Sequence, residues 1–400
     1  MKRRDFLTTM LGKSVMAPVV LKASEDKENL PAKLNGKNEA NLFSLEPYLQ
    51  NLAEHEATVM WMTKTKCYSW VEWGENQTLG NKAQTIVDGQ IMANNRLNRI
   101  TISGLESGKK YFYRVYSREI THYDPYKVNW GKTYMSKINT FSTADTKSDS
   151  FKAIFFNDIH NNLAVFSKLT EYIAKTGYDL SLFNGDCFND PTYESNVLKV
   201  LKHYNQGVNA SQKPVIYLRG NHEIRGAYSR QLPSLFSHPQ GKQYFAITRG
   251  PVRFVCMDTG EDKPDSHWAY SGLNDFEGFH REQAAWLEKE ILKSEFKNAK
   301  YRVLVHHIPI YNTPPMKYNP WKKLWGPIFN RAGFDMSIHG HTHQATIYPP
   351  KVAGDHNYPI IIGGGPKMEN GTVMILEANS KGLNINVLNT KGKNIGSYSV

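Results

Sequence analysis

The hydrophobic positions of this 400-residue chain follow two different patterns, one on each side of the polar stretch DTKSDS at 145–150. Before it, short runs alternate apolar and polar residues at a period of two: ATVMWMTK, SWVEWG, NRITISGL, KKYFYRVYS and INTFST. Aromatic and β-branched residues at this period, without a helical stripe, predict antiparallel strands. We therefore predict a small all-β sandwich over residues 42–145.

Beyond the polar stretch, apolar runs alternate with helical patterns. The runs are Phe151–Phe156, Leu180–Phe183, Pro214–Leu218, Arg253–Met257 and Tyr301–Val305. One helical face is predicted from Leu163, Phe166, Leu169 and Ile173, and another from Ala284, Leu287 and Ile291. Buried strands that alternate with helices indicate a layered α/β domain, which we predict over residues 150–400.

The amino-terminal segment lacks both patterns. It begins MKRRDFLTTMLGKSVMAPVVLKAS, with a basic start, the twin arginine Arg3-Arg4, a weakly apolar middle and a small residue at Ala23. This resembles a twin-arginine export signal, which we predict over residues 1–23, followed by a polar linker over 24–41. The predicted destination is the periplasm or the cell envelope.

Charge and cysteine content narrow the partners. The net charge is +12, and the scattered Lys and Arg residues form no stripe interleaved with aromatic residues. We therefore expect a small anionic partner and no nucleic-acid binding surface. The three cysteines, Cys67, Cys187 and Cys256, are spaced far apart and are predicted to be core thiols. No apolar run predicts a transmembrane segment, and the oligomeric state stays open.

Polar side chains follow five strands of the predicted α/β domain. They are Asp158 and His160 after FKAIFF, Asp186 after LSLF, Asn221, His222 and Glu223 after PVIYL, His306 and His307 after YRVLV, and His339, His341 and His343 after FDMSI. The carboxyl ends of strands are where open α/β sheets collect ligand-binding groups. Glycines at Gly185, Gly220 and Gly340 let the backbone approach closely. Each motif alone is weak, but the set predicts one functional site.

The ordered series D-x-H, G-D, G-N-H-E, H-x-P and G-H-x-H resembles the calcineurin-like metallophosphoesterase superfamily. PYLQ, GLESGKKYFYRV and FSTAD in front resemble a fibronectin type III module, and together they resemble the purple acid phosphatase-like branch. The resemblance covers about residues 42–400. It implies an α/β fold, a layered β-sandwich flanked by helices, preceded by an all-β fibronectin III-like sandwich.

The resemblance also implies two metal ions that share a bridging Asp186. One ion would be ligated by Asp158, His160, Asp186 and His343, and the other by Asp186, Asn221, His307 and His341. A mixture of carboxylate, amide and imidazole ligands suits Fe, Zn or Mn, whereas Ca or Mg would take nearly all oxygen. Only two ligands, Asp158 and Asp186, are anionic, so a pair of divalent ions retains about two positive charges.

This surplus charge indicates a phosphate-ester substrate. We predict hydrolysis of small-molecule phosphate monoesters by attack of a metal-bound hydroxide. His222 is predicted to assist the leaving group and Glu223 to orient His222, beside Asp186. A phosphodiesterase or nucleotide hydrolase on the same site is an alternative, and a non-catalytic binding protein is another.

The chain departs from the purple acid phosphatase pattern in two places. Those enzymes carry a tyrosine three residues after the bridging aspartate, where this chain has Asn189, and a histidine pair beyond H-x-P, where it has Met316 and Lys317. The loop at 311–327 is predicted to be either a substrate rim or a surface loop with buried tryptophans. The sequence does not decide which polar residues near these motifs contact substrate; those left open are His306, His339, Arg225 and Lys317.

Overall fold

The computed structural model describes residues 21–22 and 42–400. Apart from Leu21–Lys22, the predicted export signal (1–23) and linker (24–41) lie outside the described residues. Within the described part of the chain, no helix is long and apolar enough to cross a membrane.

The first part of the described chain is all β, as predicted. Its strands are β1 (Leu21–Lys22), β2 (Phe43–Gln50), β3 (Glu56–Gly74), β4 (Asn81–Ala83), β5 (Ile86–Val87), β6 (Gln90–Ile91), β7 (Ala93–Ser103), β8 (Lys110–Asp124), β9 (Lys127–Met135) and β10 (Asn139–Ser142). Apart from the separate β5–β6 pair, they form one antiparallel sheet. Its buried core includes Val59, Trp61, Ile100 and Tyr113.

The central strand β3 differs from the prediction. The runs ATVMWMTK and SWVEWG were predicted as separate strands, but both belong to the 19 residues of β3. They are joined by residues 65–68, of which Thr65 and Lys66 are exposed. The strand continues through this segment with an irregularity in the β3–β7 pairing between Met62 and Cys67. Such a bulge bends a strand without ending it.

The second part contains two mixed six-stranded sheets. Its strands are β11 (Phe151–Phe156), β12 (Leu180–Asn184), β13 (Val215–Leu218), β14 (Phe245–Arg249), β15 (Val252–Cys256), β16 (Tyr301–Val305), β17 (Met336–His339), β18 (Thr346–Tyr348), β19 (Ile360–Ile362), β20 (Thr372–Ala378), β21 (Leu383–Asn389) and β22 (Asn394–Ser399). One sheet has the order β13-β12-β11-β20-β21-β22, and the other β14-β15-β16-β17-β19-β18. In the first, β11, β12 and β13 are parallel; in the second, β15, β16, β17 and β19 are parallel.

Helices cover the outer faces of both sheets. They are α1 (Leu163–Ile173), α2 (Glu194–Gly207), α3 (Phe276–Glu290), α4 (Ser294–Lys297), α5 (Pro320–Leu324) and α6 (Gly326–Ala332), with short 3-10 turns at His222–Ile224, Leu232–Leu235, Pro239–Gly241 and Trp268–Tyr270. The two sheets face each other across one apolar core that includes Phe155, Leu182, Phe254 and Val303. The predicted fold class, a β-sandwich flanked by helices, is confirmed.

The tryptophans of the loop at 311–327 are buried beneath α3. Trp321 and Trp325 have no exposed surface. The Trp321 indole N–H donates to Nε2 of His280 at 3.0 Å, and the Trp325 indole N–H donates to the His280 carbonyl at 3.1 Å. Of the two alternatives for this loop, buried tryptophans are therefore correct, and these rings cannot stack on a substrate. Lys317 is exposed.

The all-β sheet packs directly on the α/β part. Tyr48 of β2 lies in the same core cluster as Phe166 of α1, and its hydroxyl donates to the carbonyl of Leu235 at 2.7 Å. The guanidinium of Arg99 in β7 donates to the carbonyl of Phe236 at 2.8 Å. The predicted boundaries, 42–145 and 150–400, stay predictions. The three cysteines are buried, as predicted.

Candidate metal centre

The two parallel strand sets present their carboxyl ends at one edge of the paired sheets. In the first sheet, Asp158 follows β11, Asp186 follows β12 and Asn221 follows β13. In the second sheet, His307 follows β16 and His341 follows β17. Because the sheets face each other, loops from both meet at this edge.

One cluster brings together Asp158, His160 and His343, whose ligand atoms all lie within 4.8 Å of one another. Nε2 of His343 is 3.2 Å from Oδ1 of Asp158 and 3.1 Å from Nε2 of His160. Nε2 of His160 is also 3.7 Å from Oδ2 of Asp186. Four predicted ligands of the first ion therefore surround one point.

A second cluster brings together Asp186, His307 and His341, again within 4.8 Å. Nε2 of His307 is 3.1 Å from Oδ2 of Asp186, and Nδ1 of His341 is 3.0 Å from Oδ1 of Asn221. Asp186 lies between the two clusters, since the same Oδ2 atom faces His160 and His307. The structure thus brings together all seven residues predicted as metal ligands.

Two atoms at the middle of this arrangement need a partner. Oδ1 of Asp158 and Nε2 of His307 are buried and make no hydrogen bond among the described residues. A buried polar atom without a partner costs about 1–3 kcal/mol, so such atoms inside a cluster of ligand groups indicate a site for a bound ion. Carboxylate, amide and imidazole donors converging on these atoms fit divalent metal ions.

The charged residues at the middle of the centre have pKa values outside their ordinary ranges. Burial raises the pKa values of Asp158 and Asp186, but the His307 charge and the hydrogen bonds from neighbouring side chains together outweigh burial and hold both pKa values below their ordinary range. Burial lowers the pKa of His307, and the two carboxylates reverse this and raise it to about 10. Without an ion, a proton on His307 supplies the cation that this anionic pair requires.

The loops that carry the ligands adopt left-handed backbone conformations. Asp158 and Asp186 both have φ of 51°, and His341 has φ of 72°. Such conformations are costly for residues other than glycine and concentrate at functional sites. The predicted close approach of glycine is present: a Cβ on Gly340 would lie 2.3 Å from Oδ2 of Asp158, and one on Gly220 would lie 2.3 Å from Oδ1 of Asp186.

His222 lies at the open side of the centre. Its backbone N–H donates to Oδ1 of Asp186 at 2.9 Å, and its Nε2 lies 4.0 Å from Oδ2 of the same residue. On the other side of the ring, Nδ1 is 3.1 Å from Oδ1 of Asp190. A proton on Nδ1 that donates to this carboxylate leaves Nε2 directed at the centre.

Glu223 does not play the part predicted for it. Its Oε2 accepts from the N–H groups of Asp186 at 2.8 Å and Gly220 at 2.7 Å, and its Oε1 accepts from Phe188 at 2.8 Å. The carboxylate is saturated by backbone donors, so it positions the two ligand loops while Asp190 faces His222. Burial, followed by the Asp186 charge, raises the pKa of Glu223 to about 7, and the N–H donors oppose this.

Sequence reasoning missed Asp190. Its only signal was its place in GDCFND, four residues after Asp186. Asn189, at the position of the missing tyrosine, has Oδ1 3.4 Å from Nδ1 of His160. This amide therefore lies beside the first cluster.

The two remaining histidines of the motifs lie beneath the centre. The His306 ring stacks on Phe329, with Nδ1 2.8 Å from the Ile308 carbonyl. Nδ1 of His339 is 2.9 Å from the His306 carbonyl, and its Nε2 is 2.8 Å from Oγ of Ser337. The His339 ring uses both of its nitrogens in local hydrogen bonds, whereas Nε2 of His306 is buried without a hydrogen-bond partner among the described residues.

Comparison with known proteins agrees with this geometry. Residues 151–345 match the family model of the calcineurin-like phosphoesterases. A purple acid phosphatase, PPD1, from seeds of yellow lupin (Lupinus luteus) has a similar structure, with a TM-score of 0.64, 15% identity, and coverage of 88% of this chain and 73% of that one. A structure of PhoD is similar with a TM-score of 0.64 and 11% identity, covering 91% of this chain and 94% of that one. Because both sequence identities are below 25%, these two similarities establish the fold alone.

Fold, family model and site together define a metal-dependent phosphoester hydrolase. Residues 151–345 form a calcineurin-like phosphoesterase domain, as the ordered motifs of this region predicted.

Proposed function

We propose that this protein is a dinuclear-metal phosphatase that hydrolyses small-molecule phosphate monoesters. The observation that supports this most directly is the pair of clusters that share Asp186, with Oδ1 of Asp158 and Nε2 of His307 buried between them without a hydrogen bond. Seven ligands with only two carboxylates leave a pair of divalent ions with surplus positive charge. A phosphate ester supplies the anion that such a site requires.

The bound ions would supply a nucleophile by lowering the pKa of water, and would offset charge that develops on phosphate oxygens. The remaining tasks fall to residues of the chain. When both ring nitrogens carry a proton, His222 is placed to protonate the departing oxygen through Nε2–H, because its Nδ1–H donates to Asp190. Glu223 fixes the backbone of Asp186, and so keeps the bridging carboxylate aligned with both clusters.

The donor set favours Fe, Zn or Mn over Ca or Mg. Elemental analysis of the purified protein tests this choice. We expect about two transition-metal ions per chain in total, as the two clusters require. Removal by a chelator should abolish hydrolysis, and re-addition of the same metal should restore it.

Replacement of the bridging residue tests the function itself. An Asp186→Ala variant should lose both bound metal and phosphatase activity, because both clusters depend on this carboxylate. Asp179→Ala is a matched control: Asp179 precedes β12 whereas Asp186 follows it, and its carboxylate accepts the Lys152 N–H at the far end of the sheet. Retention of metal and activity by the Asp186 variant would contradict the proposal.

We further propose that the protein acts outside the cytoplasm. The support is the resemblance of residues 1–23 to a twin-arginine signal. An Arg3→Lys, Arg4→Lys double variant retains the charge but lacks the arginine pair. Fractionation of expressing cells should find the wild type in the periplasm or envelope and the double variant in the cytoplasm.

A further inference from the structure

An arginine stands beside His222 at the open side of the centre. Arg225 follows the 3-10 turn His222–Ile224, and its backbone N–H donates to the His222 carbonyl at 3.2 Å. This tight turn brings the guanidinium back alongside the imidazole. Nη1 of Arg225 lies 3.4 Å from Nε2 of His222, the ring nitrogen directed at the centre.

Two carboxylates bind the Nε and Nη2 atoms of the guanidinium. Nε donates to Oε1 of Glu261 at 3.1 Å, and Nη2 donates to Oε2 of Glu261 at 2.9 Å and to Oδ1 of Asp262 at 3.1 Å. Glu261 is buried, and its Oε2 also accepts from the Tyr270 hydroxyl at 2.9 Å. A bidentate pair of this kind holds the planar group in one orientation.

The remaining nitrogen is the one turned toward the centre. Among the described residues, the only hydrogen-bond contact of Nη1 is the long one to His222. Arg225 and Lys263 together balance Glu261 and Asp262, because Lys263 also pairs with Asp262 at 2.6 Å. These four side chains therefore have no net formal charge together. Any interaction of Arg225 with a substrate would be a short-range hydrogen bond from the N–H groups of Nη1.

We infer that Arg225 binds a terminal oxygen of the substrate phosphoryl group and so selects monoesters over diesters. This inference rests on the proposed function and specifies its substrate class. The phosphoryl group of a monoester carries three terminal oxygens, and that of a diester carries two. The Nη1 group of Arg225, which is already fixed beside His222, can donate to the third terminal oxygen of a monoester, which is anionic. A diester has a bulky alkoxy group at that position, and its oxygen is a poor hydrogen-bond acceptor.

The test compares kcat/KM of metal-loaded wild type and Arg225→Gln for p-nitrophenyl phosphate and bis(p-nitrophenyl) phosphate. Loss of a hydrogen bond to a charged group should lower the monoester value roughly 10- to 100-fold. The diester value should change by less than about threefold, because a diester does not use this donor. Binding of inorganic phosphate, measured by calorimetry, should weaken in parallel with the monoester value.

Two further variants serve as controls. Arg331→Gln removes an exposed arginine that pairs with Glu288 far from the centre, and should leave the monoester-to-diester ratio unchanged. Arg225→Lys keeps the positive charge but lacks the planar guanidinium group, and should lose part of the preference for monoesters. If Arg225→Gln does not fold, the same comparison is made with Arg225→Lys.

The outcomes separate this inference from the proposed function. An Arg225→Gln variant with both rates lowered equally would show that Arg225 acts only through His222, and would overturn the inference alone. Wild-type protein that hydrolyses neither ester with Fe, Zn or Mn would overturn the proposed function, and the inference with it.

Discussion

Asp186 is constrained on every side by its neighbours. Its N–H donates to Glu223, its Oδ1 accepts from the His222 N–H, and its Oδ2 faces His307 and His160. Each neighbour fixes a different atom of the same residue, so side chain and backbone are positioned together. A longer carboxylate could not satisfy these contacts without moving a ligand loop.

His222 should matter most when the leaving group is poor. We expect His222→Asn to lower kcat for an alkyl phosphate about 10²- to 10⁴-fold, the usual contribution of general acid catalysis. The loss should be smaller for p-nitrophenyl phosphate, whose leaving group needs less protonation. Metal content should be unchanged, since His222 is not a predicted ligand. Equal losses with both substrates would contradict a proton-donating role.

Asn189 should leave the iron-loaded protein without strong colour. The intense visible band of purple acid phosphatases requires a phenolate bound to ferric iron, and the residue beside His160 here is an amide. We expect the visible spectrum of iron-reconstituted protein to resemble that of the zinc-loaded form. An intense charge-transfer band at full iron occupancy would refute this expectation.

At the scale of elements, the loop after β17 is fastened to both sheets. The Gly340 N–H donates to the His307 carbonyl at 2.9 Å, and the His341 N–H donates to Oδ2 of Asp158 at 2.7 Å. The Gly363 N–H in turn donates to the His339 carbonyl at 3.0 Å. These bonds hold the loop in its left-handed turns, so the positions of His341 and His343 depend on the loop as a whole.

Gly340→Ala should therefore damage the centre through its backbone. The added methyl group would meet Oδ2 of Asp158 at 2.3 Å, which forces either the loop or the carboxylate to shift. We expect bound metal to fall several-fold, measured by elemental analysis. Gly333→Ala is the matched control, because Gly333 has φ of 72° but open space around a Cβ. That variant should lose about 1–2 kcal/mol of stability and keep its metal.

At the scale of the whole molecule, the two β-rich parts share a core. Met60 and Met62 of the all-β sheet lie in one apolar cluster with Phe183 of β12 and Leu201 of α2. An interface formed from core side chains couples the stability of its two sides. Sequence patterns did not reveal this coupling, because an apolar residue looks the same whether it packs within its own sheet or against another.

A buried histidine should make stability depend on pH. His238 packs between Phe236 and Phe245, and its Nε2–H donates to the Tyr217 carbonyl at 2.8 Å. Burial lowers the pKa of His238 from 6.5 to about 4. Between pH 6.5 and 4, His238 is protonated in the unfolded chain but stays neutral in the folded chain. The stability that the neutral, buried His238 contributes is therefore complete above pH 6.5 and is lost as pH falls toward 4.

His238→Gln keeps a donor for Tyr217 but cannot titrate. Urea unfolding of chelated wild type and variant between pH 4 and 6.5 should show a shallower pH dependence for the variant. The difference should approach 1.4 kcal/mol per pH unit, the value for one proton. Parallel curves would contradict the proposed linkage.

Much of this architecture could be predicted because buried strands leave a simple trace. Tyr301–Val305 and Phe151–Phe156 were predicted with correct bounds, since strands buried on both faces are almost entirely apolar and each of these has a single basic residue. The seven candidate ligands were found because parallel strands deliver their following residues to one edge. Contacts set by tertiary geometry were not predictable: Asp190 beside His222, Glu223 beneath Asp186, and the burial of Trp321.

The proposed centre draws on both sheets, and this has a consequence for biogenesis. The first ion would take ligands from the loops after β11, β12 and β17, and the second from the loops after β12, β13, β16 and β17. A chain still emerging from the ribosome cannot complete either ligand set until His341 and His343 have been synthesised. Metal binding would therefore be complete only after residues through His343 have been synthesised, and export of the folded protein, as proposed above, would place the choice of metal in the cytoplasm.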